Sequence, residues 1–184
     1  MALRHRNPGI RPHLTLGRRL DLAARAGFPA VSTVLAMLLT QAPFGMSGQA
    51  VLLPAVTLSC IWFWSLFRPG AMPPPAVFAI GVLFDLLGYL PLGVGVLTLL
   101  LAHGIALRWR RFLAQQGFAL TWLAFLPVAI GAALLSWGLV ALLTLRLLPA
   151  GLNVYQAALT AALYPVLAIP LAWAHRSIGE AEPG

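Results

Sequence analysis

The sequence predicts an all-α integral membrane protein of about six transmembrane helices, with both termini on the cytoplasmic side. Three observations carry that expectation. The chain has 184 residues, 60% hydrophobic and only 9% charged, with a mean hydropathy of +0.89. Soluble domains run near 25% charged residues, because a folded surface has to be wetted. Sixteen charges, twelve basic and four acidic, are too few for that, so lipid must cover most of the surface. Apolar stretches of helical length recur along the chain, separated by Pro, Gly and Arg. The twelve basic residues are all arginine and are distributed unevenly between the connections.

In chain order, residues 1–26 form a basic cytoplasmic segment broken by Pro8, Gly9, Pro12 and Gly17. Within it, residues 14–26 place Leu16, Leu20 and Ala23/Ala24 on one helical face, with Arg18, Arg19 and Arg25 largely elsewhere. That pattern suits an amphipathic helix on an anionic leaflet; a disordered basic tail is the alternative. A cleaved signal is disfavoured, since the basic stretch is long and Gln41-Ala42-Pro43 is a poor cleavage site.

A membrane domain spans residues 27–176. Its first two helices are expected at about 28–44 and 49–67, the second ending in the aromatic run Ile61-Trp62-Phe63-Trp64 at a membrane interface. Arg68-Pro69-Gly70 and Pro73-Pro74-Pro75 then form a rigid, helix-breaking connection. Residues 76–107 carry no basic charge. As one helix they would reach about 48 Å, against a hydrocarbon core of about 30 Å. The run Gly88-Tyr89-Leu90-Pro91-Leu92-Gly93 breaks them into two short helices, about 75–89 and 91–107. A fifth helix at 118–145 is long enough to cross with tilt. Arg146 to Asn153 forms a loop, a sixth helix at 154–174 is bent by Pro165 and Pro170, and 177–184 is a short cytoplasmic tail.

Six crossings place Arg4, Arg6, Arg11, Arg18, Arg19, Arg25, Arg68, Arg108, Arg110, Arg111 and Arg176 on one side and Arg146 alone on the other. Cytoplasmic loops hold the excess of Lys and Arg, which orients both termini inside. The same rule explains a pI near 11.5 without nucleic acid.

Few residues are candidates for chemistry. Asp85 is the one acid inside the apolar region, where an unpaired charge costs several kcal/mol. It reads either as a carboxylate reaching an interface from a helix end or as a buried contact. With Gly81 one turn before and Gly88 nearly one turn after, its face suits close helix approach, the carboxylate bonding to a neighbour's backbone or to Ser, Tyr or Arg. The Arg108-Trp109-Arg110-Arg111 cluster reads as a headgroup anchor or as a docking point for a cytoplasmic partner. Ala157/Ala161 and Ala158/Ala162 have small-xxx-small spacing. Cys60 stands alone and His5, His13, His103 and His175 are scattered, so neither a disulfide nor a metal site is expected. No nucleophile–base grouping, carboxylate pair or phosphate-binding loop is present; no enzyme activity and no cofactor are expected.

The stretch from Phe78 through Gly81, Asp85-Leu86-Leu87, Gly88 and Pro91-Leu92-Gly93, preceded by Arg68-Pro69, resembles the signature of the rod shape-determining protein MreD family, F-x-x-G-x-x-x-D-L-L-x-x-x-P-L-G. Leu53-Pro54, the basic end of the fourth helix and the chain length agree with it. The resemblance covers residues 28–176. It implies a non-enzymatic inner-membrane component of the elongasome, which inserts side-wall peptidoglycan. The implied partners are the bitopic MreC and, through it, the actin-like MreB, the polymerase RodA and its penicillin-binding transpeptidase. The implied membrane fold is that of the substrate-binding subunits of energy-coupling-factor vitamin transporters. Residues 1–26 exceed the lead-in usual in the family.

On that reading Gly81, Asp85, Gly88, Pro91 and Gly93 form a helix-packing or partner face, and Arg68, Arg108, Arg110 and Arg111 lie in cytoplasmic loops. The alternative is a vitamin-type solute-binding subunit, which requires a pocket with several convergent polar groups. Thr33, Ser59, Asp85, Thr98, His103, Ser136 and Thr160 are the few polar residues available in the helices. A proton carrier centred on Asp85 lacks a second titratable group.

Overall fold

In the computed structural model, residues 16–42, 51–145 and 150–179 are described. Residues 1–15, the break at Pro43–Gly45, Arg146 and positions 180–184 of the expected 177–184 tail lie outside them; residues 150–153, expected as loop, and 177–179, expected as tail, are helical. Among the described residues the structure is all-helical, with six α-helices: α1 (Leu16–Gln41), α2 (Leu52–Phe67), α3 (Pro74–Leu87), α4 (Val94–Leu113), α5 (Phe118–Thr144) and α6 (Ala150–Gly179).

Several bounds differ from those expected. Helix α1 begins at Leu16, so the basic 16–26 stretch runs into the first apolar segment without a break. Pro29, which lacks an N–H, is accommodated inside that helix. Helix α4 continues to Leu113, through the arginine cluster expected to follow it, and carries Arg110 and Arg111 in its last turn. Arginine is a good helix former, and a cation at a helix C-terminus meets the negative end of the dipole. Pro165 and Pro170 are likewise contained within α6.

Between α2 and α3 the proline-rich connection is a 3₁₀ turn, Pro69–Ala71. Pro74 opens α3, a position where its missing N–H costs nothing and its fixed φ already suits the helix.

Helix α2 lies at the centre, packed against α1, α4 and α6; α3 lies along α4, and α5 bridges α4 and α6. Thirteen of the sixteen α2 residues are buried. A helix apolar all round is stable only when covered all round, which is the case here. The aromatic run at 61–64 departs from its expected interfacial place. Trp62 and Trp64 are 1% and 0% exposed and fill the core rather than a membrane surface. Trp62 meets Phe125 at 5.8 Å, and Phe125 stacks on Tyr164 at 4.5 Å, tying α2, α5 and α6 together through aromatic contact.

The outside is also apolar. Leu123, Ile130, Leu134, Val166 and Ile169 are each more than half exposed. Soluble monomers rarely expose contiguous apolar area on that scale. Helices α5 and α6 contain the two stretches, Phe118–Thr144 and Gly151–Arg176, that are long and apolar enough to cross a membrane. Helices α2 and α3, at 16 and 14 residues, reach only about 24 and 21 Å. The architecture is that of a helical protein compatible with membrane residence.

Candidate functional site

The residues singled out around Asp85 come together in the hairpin between α3 and α4. Asp85 lies in the last turn of α3 and is 0% exposed, so it is a buried contact and does not reach an interface. Its Oδ1 accepts from the Gly95 N–H at 2.6 Å; its Oδ2 accepts from Gly93 at 2.8 Å and, more weakly, from Val96 at 3.4 Å.

The first four N–H groups of a helix have no partner within it. Gly93, the N-cap of α4, has no side chain with which to cap. The carboxylate of the preceding helix does so instead. Negative charge at the positive end of α4 adds a favourable dipole interaction. Of the first amides, Gly93, Gly95 and Val96 go to Asp85, and Val94 goes to the Pro91 carbonyl at 3.2 Å. That accounts for the helix start.

The same residue closes α3. The Leu90 N–H donates to the Asp85 carbonyl at 3.1 Å, with Gly88 as C-cap and Tyr89 left-handed at φ 52°. This is the six-to-one bond of a Schellman ending. The Asp85 backbone therefore ends one helix and its side chain begins the next.

Glycine allows the close approach. A Cβ on Gly81 would lie 2.7 Å from the Val96 Cα, a backbone atom that cannot rotate away. A Cβ on Gly95 would fall onto the Phe84 ring and within 2.5 Å of Asp85 Oδ1. Gly93 has φ 103°, a conformation glycine adopts readily. Gly88 is less constrained: a Cβ there would sit 3.1 Å from the Phe84 carbonyl oxygen. Pro91 contributes its carbonyl to Val94. Gly95 was not singled out from the sequence; its signal is the Gly93-Val94-Gly95 spacing, which becomes meaningful only once the carboxylate is seen to face it.

The arginines lie at the opposite end of the hairpin. Arg68 follows α2 and donates its N–H to the Trp64 carbonyl at 2.8 Å, and α3 starts beside it. Since α3 and α4 run antiparallel, the C-terminal end of α4 returns to that end. Arg108 and Arg111 are exposed there and Arg110 is half-buried. Trp109 is 58% exposed.

His103 is a packing residue: it is buried, with Nδ1 2.7 Å from Ser65 Oγ. The Ser65 hydroxyl donates to the Ile61 carbonyl, so it accepts from Nδ1–H. Cys60 is buried and free. No group of three or more potential metal ligands occurs among the described residues. In the last helix Ala157 and Ala161 are half-buried, whereas Ala158 and Ala162 face outward. Trp122 Nε1 donates to the Ala161 carbonyl at 2.9 Å, fixing α5 against α6.

A cavity of about 250 Å³ lies between α2, α4, α5 and α6, beside the hairpin turn. Its polar lining is uncharged: Thr98, Ser136, Asn153, Gln156 and Thr160. Thr98 Oγ1 meets Ser136 Oγ at 3.2 Å. No protein-family model, curated protein or solved structure matches the chain.

Proposed function

We propose that this protein is a non-enzymatic, multi-pass component of the bacterial inner membrane that helps maintain rod shape. In this reading it associates with an MreC-like bitopic partner and, through it, with an MreB-like filament, a RodA-like polymerase and a penicillin-binding transpeptidase. The supporting observation is the Asp85 clasp. The residues that carry the MreD-like signature, Gly81, Asp85, Gly88, Pro91 and Gly93, all belong to one α3–α4 hairpin, each at its turn or at the helix contact. A motif that builds one rigid device suits a protein that works by presenting a surface.

Six crossings with both termini inside, in the manner of the energy-coupling-factor substrate-binding subunits, complete the proposal. Short α2 and α3 would then be accommodated by local thinning or by burial among their neighbours, and α2 is in fact enclosed. The arginine distribution supports the orientation. The deciding experiment is replacement of the gene in a rod-shaped host. Cells with the native chain should stay rods and co-purify the MreC-like partner. Cells with Asp85→Leu should round up and lose the partner. Rods with full partner recovery under Asp85→Leu would overturn the reading.

The cavity favours a second reading, as a solute-binding subunit. Its size is below the roughly 300–1,000 Å³ of most small-molecule sites and it holds no charged group, which keeps this reading second. A vitamin-sized compound recovered from the purified protein by mass spectrometry would reverse the order.

A further inference from the structure

The cavity beside the hairpin turn takes its walls from the start of α2, α4 and α6 and from the later part of α5. Along α6 it reaches from Asn153 to Thr160, a rise of about 10 Å. Its volume of about 250 Å³ is that of about eight waters at about 30 Å³ each. One ring with a short substituent fits such a space.

The lining decides the charge of an occupant. No charged side chain faces the cavity. Asp85 lies in sequence between two of its walls, Phe84 and Gly88, but the carboxylate is 0% exposed and both its oxygens are taken by the amides that start α4. An ion entering here would lose its hydration and meet no counter-charge, which is costly. The cavity therefore selects a neutral molecule.

The hydroxyls decide which end of a hydrogen bond the occupant supplies. Thr98 Oγ1 donates to the Val94 carbonyl and Thr160 Oγ1 to the Gln156 carbonyl, each at 2.7 Å. Both protons are thus committed within their own helices, leaving oxygen lone pairs to accept. Ser136 Oγ, 3.2 Å from Thr98 Oγ1, is then the donor of that pair, and it too keeps only acceptor capacity. Thr98 and Thr160 are 7% and 3% exposed, so acceptors are fixed in the buried wall. The rest of that wall is apolar, with Ala129 and Ala133 on α5 and the rings of Phe84 and Trp137.

We infer that this cavity binds a small uncharged molecule with an apolar ring and an N–H donor, of the aromatic carboxamide type. The ring would lie against the alanine and aromatic wall, and the donor would answer the threonine and serine oxygens. Asn153 and Gln156, which offer both donors and acceptors, would meet the amide carbonyl or a second polar group. The inference rests on the solute-binding reading of the cavity and adds to it the class of ligand.

The test is a fluorine NMR titration of the full-length protein in detergent, with empty micelles as background. The probes are para-fluorobenzamide and its counterparts of like size: para-fluorobenzoate, para-fluorobenzylamine and para-fluorotoluene. The amide should bind saturably with a dissociation constant of about 1 mM or tighter, as suits a ligand of its size. The anion and the cation should bind at least about tenfold more weakly. Thr160→Val, which keeps shape and removes one acceptor, should weaken the amide about three- to tenfold and leave fluorotoluene unchanged, a split that a general packing defect would not produce. Ala133→Leu, which fills the cavity, should weaken both. Binding of the anion or the cation as tight as that of the amide would overturn the ligand class while leaving a solute site in place. Fluorotoluene binding as tightly as the amide would overturn the donor requirement. Amide binding unchanged in both variants would place it elsewhere and overturn the inference. Saturable binding of none of the four would overturn the solute-binding reading itself.

Discussion

Asp85 and Gly95 are ten residues apart and meet at 2.6 Å, carboxylate oxygen to backbone N–H, because Gly95 has no side chain to hold the helices apart. The contact is buried, and it is the shortest of three that Asp85 makes to the start of α4. An N-cap is normally the residue just before its helix. Here it is supplied from the preceding helix, so α4 cannot start properly unless α3 is already beside it.

Removing that carboxylate should therefore unfasten both helices. Asp85→Leu leaves the buried Gly95 amide and the half-buried Val96 amide without an acceptor, uncaps the exposed Gly93 amide, and should lower unfolding stability by about 3 kcal/mol, combining loss of a cap with unsatisfied donors. Asp85→Asn keeps one carbonyl oxygen and should lose about 1 kcal/mol. Thermal unfolding in detergent measures both. Equal stability of Asp85→Leu and the native chain would show that the clasp contributes nothing.

The glycines should separate into those that are required and those that are not. Gly95→Ala and Gly81→Ala force the helices apart and should each lower stability by about 1–3 kcal/mol, the usual range for overpacking. Gly104, on the same helix, has nothing within 4 Å of a built Cβ. Gly104→Ala should raise helix stability by about 0.5–1 kcal/mol through lost backbone freedom in the unfolded chain. The three variants compared in one melting series give the result. A fall for Gly104→Ala equal to that of Gly95→Ala would mean that helix flexibility, not close approach, is what glycine provides.

Tyr89 holds φ 52° while 96% exposed. A non-glycine residue in the left-handed region costs roughly 1–2 kcal/mol. Tyr89→Gly should accordingly stabilise the hairpin by about 1 kcal/mol, and a β-branched Val should destabilise it. Should Tyr89→Gly instead lower the melting temperature, the ring is held by contacts that outweigh the strain, as a tyrosine at a membrane interface would be.

How much of this was legible beforehand follows from the kind of signal involved. The α3–α4 hairpin was readable because 76–107 is too long for one helix and carries Gly-Tyr-Leu-Pro-Leu-Gly in its middle. Asp85 stands out in the sequence because it is the one acid amid apolar residues, but the sequence leaves open whether it is buried or reaches an interface from the helix end; the packing of α4 decides. The role of Gly95 was not readable, since in an apolar helix a glycine facing a carboxylate looks like any other glycine. The aromatic run 61–64 carries a similar ambiguity. Tryptophan suits both a membrane interface and a core, and only the surrounding helices decide. The continuation of α4 through Arg110 and Arg111 was missed because charge ends an apolar stretch but does not end a helix.

Membrane topology can be tested with the thiol the chain already has. Cys60 is the single cysteine, and it is buried within α2, so a water-soluble maleimide should not reach it. That makes the native chain its own blank. Tyr89→Cys places a thiol at the exposed hairpin turn, and Gln115→Cys places one in the exposed turn after α4. The two turns lie at opposite ends of α4, whose 20 residues reach about 30 Å, the depth of a hydrocarbon core. With both termini inside, a membrane-impermeant maleimide should label Tyr89→Cys in intact spheroplasts and label Gln115→Cys only after lysis. The reverse pattern would invert the orientation argued from the arginines. Labelling of both before lysis would show that α4 does not cross at all, and the short α3 would then lie on the surface with it.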